Sequence, residues 1–327
     1  MVARRWWAVL IAVVLAVGAI ISNIVTSVKS SDFEFVFGND REPFTEVVKD
    51  KGSAGGKIAV IHLEGTIMDS GSEFLPGYNH QKFLDKLDYV KDDAGVKGVI
   101  LHVNSPGGGV VESDEIQNKV KELQKAGKKV YASMGNTAAS GGYYVSAPAD
   151  KIFAQPGTLT GSIGVIIQSI DVTKLADELG IDTNTFTSGK HKDILSSTRK
   201  MTESEKDIIQ SMVDDMYEDF VDVVADGRDM SKKEVKKLAD GRVYTGKQAL
   251  ENDLVDELGS LEDSIDALAK EIDVKNPQVV EYEENAGLIT SFGKPLQGMF
   301  QQDKDMEKLL ETLSNSDGPR AMYLYSK

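Results

Sequence analysis

Lys129-Val130-Tyr131-Ala132-Ser133-Met134-Gly135-Asn136-Thr137-Ala138-Ala139-Ser140-Gly141-Gly142-Tyr143-Tyr144 runs from an apolar, strand-like piece into a string of very small residues that seats one hydroxyl, Ser140. Small neighbours let another backbone approach that hydroxyl, and Gly141 and Gly142 permit a sharp turn that exposes it. A helix starting here would point its free N–H groups and positive dipole end at negative charge forming beside Ser140. The competing reading is a helix-packing turn with Ser140 as a plain N-cap.

Outward from this stretch, strands and helices alternate. Ile58–Leu63 and Val96–Val103 read as buried strands, the second apolar on both faces apart from Lys97 and His102, as central parallel strands are. Between them, Asn79–Asp92 spaces Phe83, Leu84, Leu87 and Val90 as one helical face. Ser113–Ala126 does the same with Ile116, Val120 and Leu123, and Gly127 suits its cap. Further on, strands are predicted over Lys151–Ala154, Ile163–Ile170 and Thr183–Thr187. Helices are predicted over Val172–Leu179, Thr202–Asp226, Lys232–Ala239 and Leu261–Ile272, with a loop over Ser188–Ser197. Such alternation makes the class α/β with right-handed crossovers.

The domain boundaries come from shifts in composition. Residues 1–5, with Arg4 and Arg5, precede an uncharged run over 6–28 long enough to cross a bilayer core of about 30 Å at roughly 1.5 Å per residue. Short positive flanks stay in the cytoplasm, so the rest of the chain is expected on the extracytoplasmic side of the cell membrane. A cleaved signal peptide is the alternative, with Ala16, Gly18 and Ala19 as small residues for cleavage, but the run exceeds a typical apolar core of about 7 to 15 residues. Residues 29–56 read as a juxtamembrane linker, with one short strand over Asp32–Phe37. The folded domain spans 57–275, and 276–327 is an extension of open role that includes an amphipathic segment over Met299–Leu313. At 327 residues and 41% hydrophobic the chain can bury a full core. Its net charge of -15 argues against nucleic acid, and the absence of Cys excludes a thiol nucleophile, disulfides and Cys-ligated metal.

Asn104-Ser105-Pro106-Gly107-Gly108-Gly109 follows a predicted strand and precedes a helix, a loop that displays backbone N–H groups to a phosphate or an oxyanion. It lacks the Gly-Lys-Ser/Thr ending of a nucleotide-binding loop. A serine nucleophile needs a base. Of the four His, His62 and His102 fall in strand runs, His80 opens a helix, and only His191 lies in a loop. A Ser140, Asp171 or Asp182, His191 order is conceivable. A lysine also serves if burial brings its amine from about 10.4 towards neutrality, and Lys190 and Lys192 flank His191.

Taken together, Asn104-Ser105-Pro106-Gly107-Gly108, Ala138-Ala139-Ser140-Gly141-Gly142-Tyr143-Tyr144, Thr160-Gly161-Ser162-Ile163-Gly164 and Ser188-Gly189-Lys190-His191-Lys192-Asp193 resemble the bacterial signal peptide peptidase (SppA) family. That is a Ser-Lys peptidase family of the Clp-protease/crotonase superfamily. The resemblance covers roughly Lys57–Val274, together with the single N-terminal anchor. It implies a Clp-protease/crotonase-like fold of repeated strand-strand-helix units behind a transmembrane helix. It further implies Ser140 as nucleophile, Lys192 as general base, Ser162 as the hydroxyl orienting that amine, and an oxyanion hole from Gly107, Gly108 and Gly141. No metal or other cofactor is expected. The implied substrates are remnant signal peptides and other extended apolar peptides, cut by a membrane-anchored homo-oligomeric ring. A crotonase-like acyl-CoA enzyme shares the loops, but an exported location and an acidic balance disfavour CoA. A peptide-binding scaffold without catalysis is the third reading.

Overall fold

The structure, a computed structural model, describes residues 43–52, 55–69, 78–284 and 321–325. By internal contacts the chain divides into Met1–Thr45 with Glu283–Gln302, and Glu46–Tyr282 with Asp303–Lys327; the core and the site below belong to the second unit. The transmembrane segment expected over 6–28, the strand over 32–37 and the amphipathic stretch over 299–313 lie outside the described residues. Among the described residues no helix is long and apolar enough to cross a membrane.

A mostly parallel sheet organises the unit. Its strands are β1 (Phe44–Asp50), β2 (Lys57–Glu64), β3 (Val96–Ser105), β5 (Lys129–Ala139), β6 (Lys151–Ala154), β7 (Leu159–Gly161), β8 (Val243–Thr245), β9 (Glu257–Leu258) and β10 (Gln278–Glu284). The order is β1-β10-β2-β3-β5-β6-β9, with β7 paired to β5 and β8 to β7. The pairs β10–β2, β2–β3, β3–β5, β5–β6, β5–β7 and β6–β9 are parallel, and β7 with β8 is antiparallel. Two short strands stand apart as an antiparallel pair, β4 (Gly107–Gly109) and β11 (Met322–Leu324).

Crossovers are made by α1 (His80–Asp92), α2 (Val110–Lys125) and α3 (Gly141–Ser146), with α4 (Thr173–Glu178), α5 (Glu203–Gly227), α6 (Lys232–Leu238), α7 (Gly246–Glu251) and α8 (Leu261–Glu271) following. Asn79 caps α1 by accepting from the Lys82 N–H, and its buried face holds the predicted Phe83, Leu84, Leu87 and Val90. α8 lays Leu261, Ile265 and Leu268 over Ile58, Val60, Ile100, Tyr131 and Phe153. Because both faces of β3 are covered, Val99 through Leu101 and Val103 are all buried, which is why that strand is an unbroken apolar run.

Several boundaries differ from the sequence reading, each for a tertiary reason. β1 falls inside the stretch read as linker; its residues are mostly half-buried or exposed, so its order comes from pairing with β10 and not from an apolar pattern. Thr183–Thr187 forms no strand because its residues are exposed and have no neighbouring strand. Ile163–Ile170 contributes a single bridge, Ile166 to Met322. β10 and β11 lie beyond the expected boundary at residue 275.

Candidate active site

β3 and β5 run parallel as neighbours, and each ends in one of the small-residue motifs. Two loops distant in sequence therefore meet at the carboxyl end of the sheet, where open α/β folds place their ligand crevices. Ser140 sits where β5 turns into α3, with φ 53 and ψ −116, a conformation that L side chains rarely adopt. Its N–H donates to the Gly161 carbonyl at 2.7 Å and its carbonyl accepts from the Tyr144 N–H at 2.8 Å, so both ends of the strained residue are pinned. The side chain makes no capping hydrogen bond to α3, and the residue is only 1% exposed. The plain N-cap reading thus loses its defining contact.

Ser162 stands beside it. β5 and β7 pair in parallel up to Ala139 opposite Gly161, so Ser140 and Ser162 occupy the next level of the two strands. Both leave their strands with positive φ, 53 for Ser140 and 51 for Ser162, and both are buried. The Ser162 N–H donates to the Arg242 carbonyl at 2.8 Å.

The glycine loop packs directly on this turn. Gly107 has φ 99, and a Cβ there would overlap the Tyr323 carbonyl and stand 2.6 Å from the Gly141 nitrogen. A Cβ on Gly141 would stand 3.1 Å from the Gly108 nitrogen and 2.6 Å from Ser113 Oγ. Only hydrogen at these positions allows the two backbones to approach so closely. The Gly107 N–H already donates to Ser105 Oγ at 3.0 Å. The Gly108 and Gly141 backbones thus pack closely beside the Ser140 turn.

Sequence reasoning left β11 unassigned, and the structure places it in this crevice. Met322, Tyr323 and Leu324 pair antiparallel with Gly109, Gly108 and Gly107. On its other side the Met322 N–H and carbonyl exchange hydrogen bonds of 3.0 Å with Ile166. Tyr323 is wholly buried, stacked 4.9 Å from Tyr144 and tilted at 4.7 Å from Phe220, with its hydroxyl donating to the Met216 carbonyl at 3.1 Å. Terminal aromatic residues in the sequence were the available signal, but nothing local specified their partner.

The remaining candidates are dispersed. Lys192 lies in a turn, its N–H donating to the Gly189 carbonyl at 3.1 Å, and it is exposed, unlike Ser140. Asp171 and His191 are not brought together: the Asp171 carboxylate accepts from the Thr173 N–H and hydroxyl, and His191 Nδ1 faces Glu205 at 3.6 Å. Asp182 is exposed. His80 is buried between the Tyr78 hydroxyl and the Glu115 carboxylate, each at 2.6 Å. His62 pairs with Glu281 at 3.1 Å and stands edge-on to His102, 5.3 Å between ring centres. Among the described residues no group of His, Cys, Asp and Glu is arranged to hold a metal ion.

Comparison with known proteins adds the family. Residues 122–275 match the profile of Peptidase family S49. A protein of Enterococcus faecium provisionally named signal peptide peptidase SppA is 40% identical over 98% of both chains. A provisionally named protease of Methanocaldococcus jannaschii is 42% identical over 72% of this chain and 77% of its own length. Protease 4 of Haemophilus influenzae is 33% identical over 82% of this chain and 46% of its own. With the mostly parallel α/β sheet and the buried, strained serine beside a glycine loop, these similarities show that the chain belongs to peptidase family S49 and is a serine protease.

Proposed function

We propose that the chain is a membrane-anchored Ser-Lys endopeptidase that degrades extended apolar peptides, remnant signal peptides among them. The observation that carries this is the crevice itself. Its edge accepts an extended backbone, as the chain's own β11 does on Gly107–Gly109, and an aromatic slot of Tyr144 and Phe220 takes the side chain beside the strained serine.

Ser140 Oγ attacks a peptide carbonyl while Lys192 accepts its proton, then returns it to the leaving amine. The Gly108 and Gly141 N–H groups hold the oxyanion, with Gly107 keeping the loop close by its positive φ. Ser162, level with Ser140, orients the amine. Water then releases the acyl-enzyme. Lys192 is exposed while Ser140 is buried, and on this reading a neighbouring copy brings its Lys192 loop into the crevice to complete the dyad. Apolar exposure in the adjoining segment fits such an assembly: Ile170, Leu175, Leu179 and Ile181 are all exposed, and Phe186 is 96% exposed. The uncharged run over 6–28 supplies the anchor and puts the domain outside the cytoplasm.

Incubating the full-length protein in detergent with a synthetic signal peptide, and mapping the cuts by mass spectrometry, tests the activity. Cleavage and serine-directed probe labelling by wild type, both lost in Ser140→Ala, are expected. Unchanged labelling in Ser140→Ala would remove the nucleophile assignment.

A further inference from the structure

The turn that carries Lys192 is tied down by a partly buried ionic clamp with no counterpart in the proposed chemistry. Arg199 sends Nε and Nη2 to the two carboxylate oxygens of Asp193, each at 2.7 Å, a bidentate fork. The same guanidinium reaches Glu205 through Nη1 at 2.9 Å and Nη2 at 2.7 Å. Glu205 is only 2% exposed and is the third residue of α5; its Oε2 also accepts from the Thr202 N–H and hydroxyl, each at 2.9 Å, closing a capping box. Arg199 thus fastens the residue next to Lys192 to the amino end of the longest described helix. Lysine has a point charge and could not span both carboxylates in this way.

The backbone of the turn is ordered to match. Lys192, Ile194 and Ser196 donate in succession to the carbonyls of Gly189, His191 and Asp193 at 3.0–3.2 Å, and Leu195 takes φ 70. The Val172 N–H donates to the Ser197 carbonyl at 2.8 Å, joining the turn to the start of α4. The charged and titratable groups here are Lys190, His191, Lys192, Asp193, Arg199, Lys200 and Glu205, with Asp171 and Lys174 on the α4 side. Among them Asp193 is the carboxylate adjacent to Lys192 in sequence. Left unpaired, it would add an uncompensated negative charge to the turn that carries the amine, and a charged amine takes no proton.

Resting on the reading of Lys192 as base, we propose that Arg199 is a positioning residue for it: clamped between Asp193 and Glu205, Arg199 fixes the turn that presents the lysine and keeps the adjacent carboxylate occupied. The clamp's own electrostatics agree with its geometry. Hydrogen bonds from Arg199 hold both the Asp193 and Glu205 carboxyls below the usual carboxylate range.

The test compares full-length wild type, Arg199→Ala, Arg199→Lys and Arg199→Ala/Asp193→Asn by peptidase kinetics across pH. In Arg199→Ala, kcat is expected to fall about 10- to 100-fold with KM nearly unchanged, because positioning acts on the proton-transfer step. The rising limb of activity should move up, since an unpaired carboxylate near a cation favours the charged form. Adding Asp193→Asn should return the limb to its wild-type position without restoring kcat, and Arg199→Lys should fall between. A limb unmoved in Arg199→Ala overturns the proposal, since loosened packing alone would slow the enzyme without moving it. Lys192→Ala, assayed alongside, separates the two ideas: full activity there defeats the base assignment itself. In that case the clamp is still judged by the pH profile for acetylation of Lys192, read by mass spectrometry. A profile moved upward in Arg199→Ala supports the clamp, and coincident profiles refute it.

Discussion

If Ser140 and Lys192 act together but come from different copies, two dead variants should revive each other. Ser140→Ala keeps the lysine and lacks the nucleophile; Lys192→Ala has the reverse defect. Each alone should lose the acceleration of about 10² to 10⁴ that general-base help supplies, or more where the nucleophile itself is gone. The structure sets the outcome of mixing. Ser140 is 1% exposed and Lys192 is exposed; on the proposed shared-dyad reading, a working site joins the serine of one copy to the lysine of the next. In a closed ring of head-to-tail interfaces assembled at random from equal amounts, about one site in four joins an intact serine to an intact lysine. The co-expressed, differently tagged pair should therefore show roughly a quarter of wild-type turnover per chain, at least tenfold above either variant alone. Purification through both tags in sequence, followed by a fluorogenic peptide assay, reads this directly. A doubly tagged assembly no more active than its parts would refute the shared dyad, because a site completed within one copy is never whole in such a mixture.

Removing residues 321–327, or making Tyr323→Ala, should raise kcat/KM for short peptides, since β11 covers the edge on Gly107–Gly109; an unchanged value would show that β11 does not compete with substrate. Ser162→Ala should slow turnover less than Lys192→Ala, as it disturbs the amine without deleting it, and equal losses would give Ser162 a larger role. Burial first, and then the neighbouring His62, hold the His102 imidazole below the usual histidine range. Its folded value lies below the unfolded one, so the unfolded chain binds the extra proton and stability falls as pH drops below about 6.5 towards the folded value. Thermal melts from pH 8 to 5 should show that decline, and His102→Gln should flatten it. Wild-type flatness would contradict the assignment. The proposed anchor predicts a full-length protein whose domain is digested by protease added to spheroplasts; a soluble form beginning near Ile20 would indicate a cleaved signal peptide instead.

Legible in the sequence were the features that local chemistry specifies. Val96–Val103 declared a buried strand because both its faces are covered, and Asn79–Asp92 declared its helix through its apolar stripe. The seat of Ser140 was readable for the same kind of reason: four small residues around one hydroxyl leave room for a strained turn and little else. What the tertiary structure alone decided were the meetings between distant segments. β10 joins β2, and β11 lies on Gly107–Gly109, although neither partner carries a mark of the other in its own composition. Ile163–Ile170 and Thr183–Thr187 have the residues of strands, but a strand needs an edge to pair with, and only Ile166 found one. The Gly107 N–H looked free for an oxyanion until Ser105 Oγ was seen to accept from it. Likewise the Asp193, Arg199 and Glu205 clamp could not be read from charges scattered along a polar loop. Propensity acts over a few neighbouring residues, whereas a ladder, an ion pair or a site between loops exists only once the chain has closed on itself.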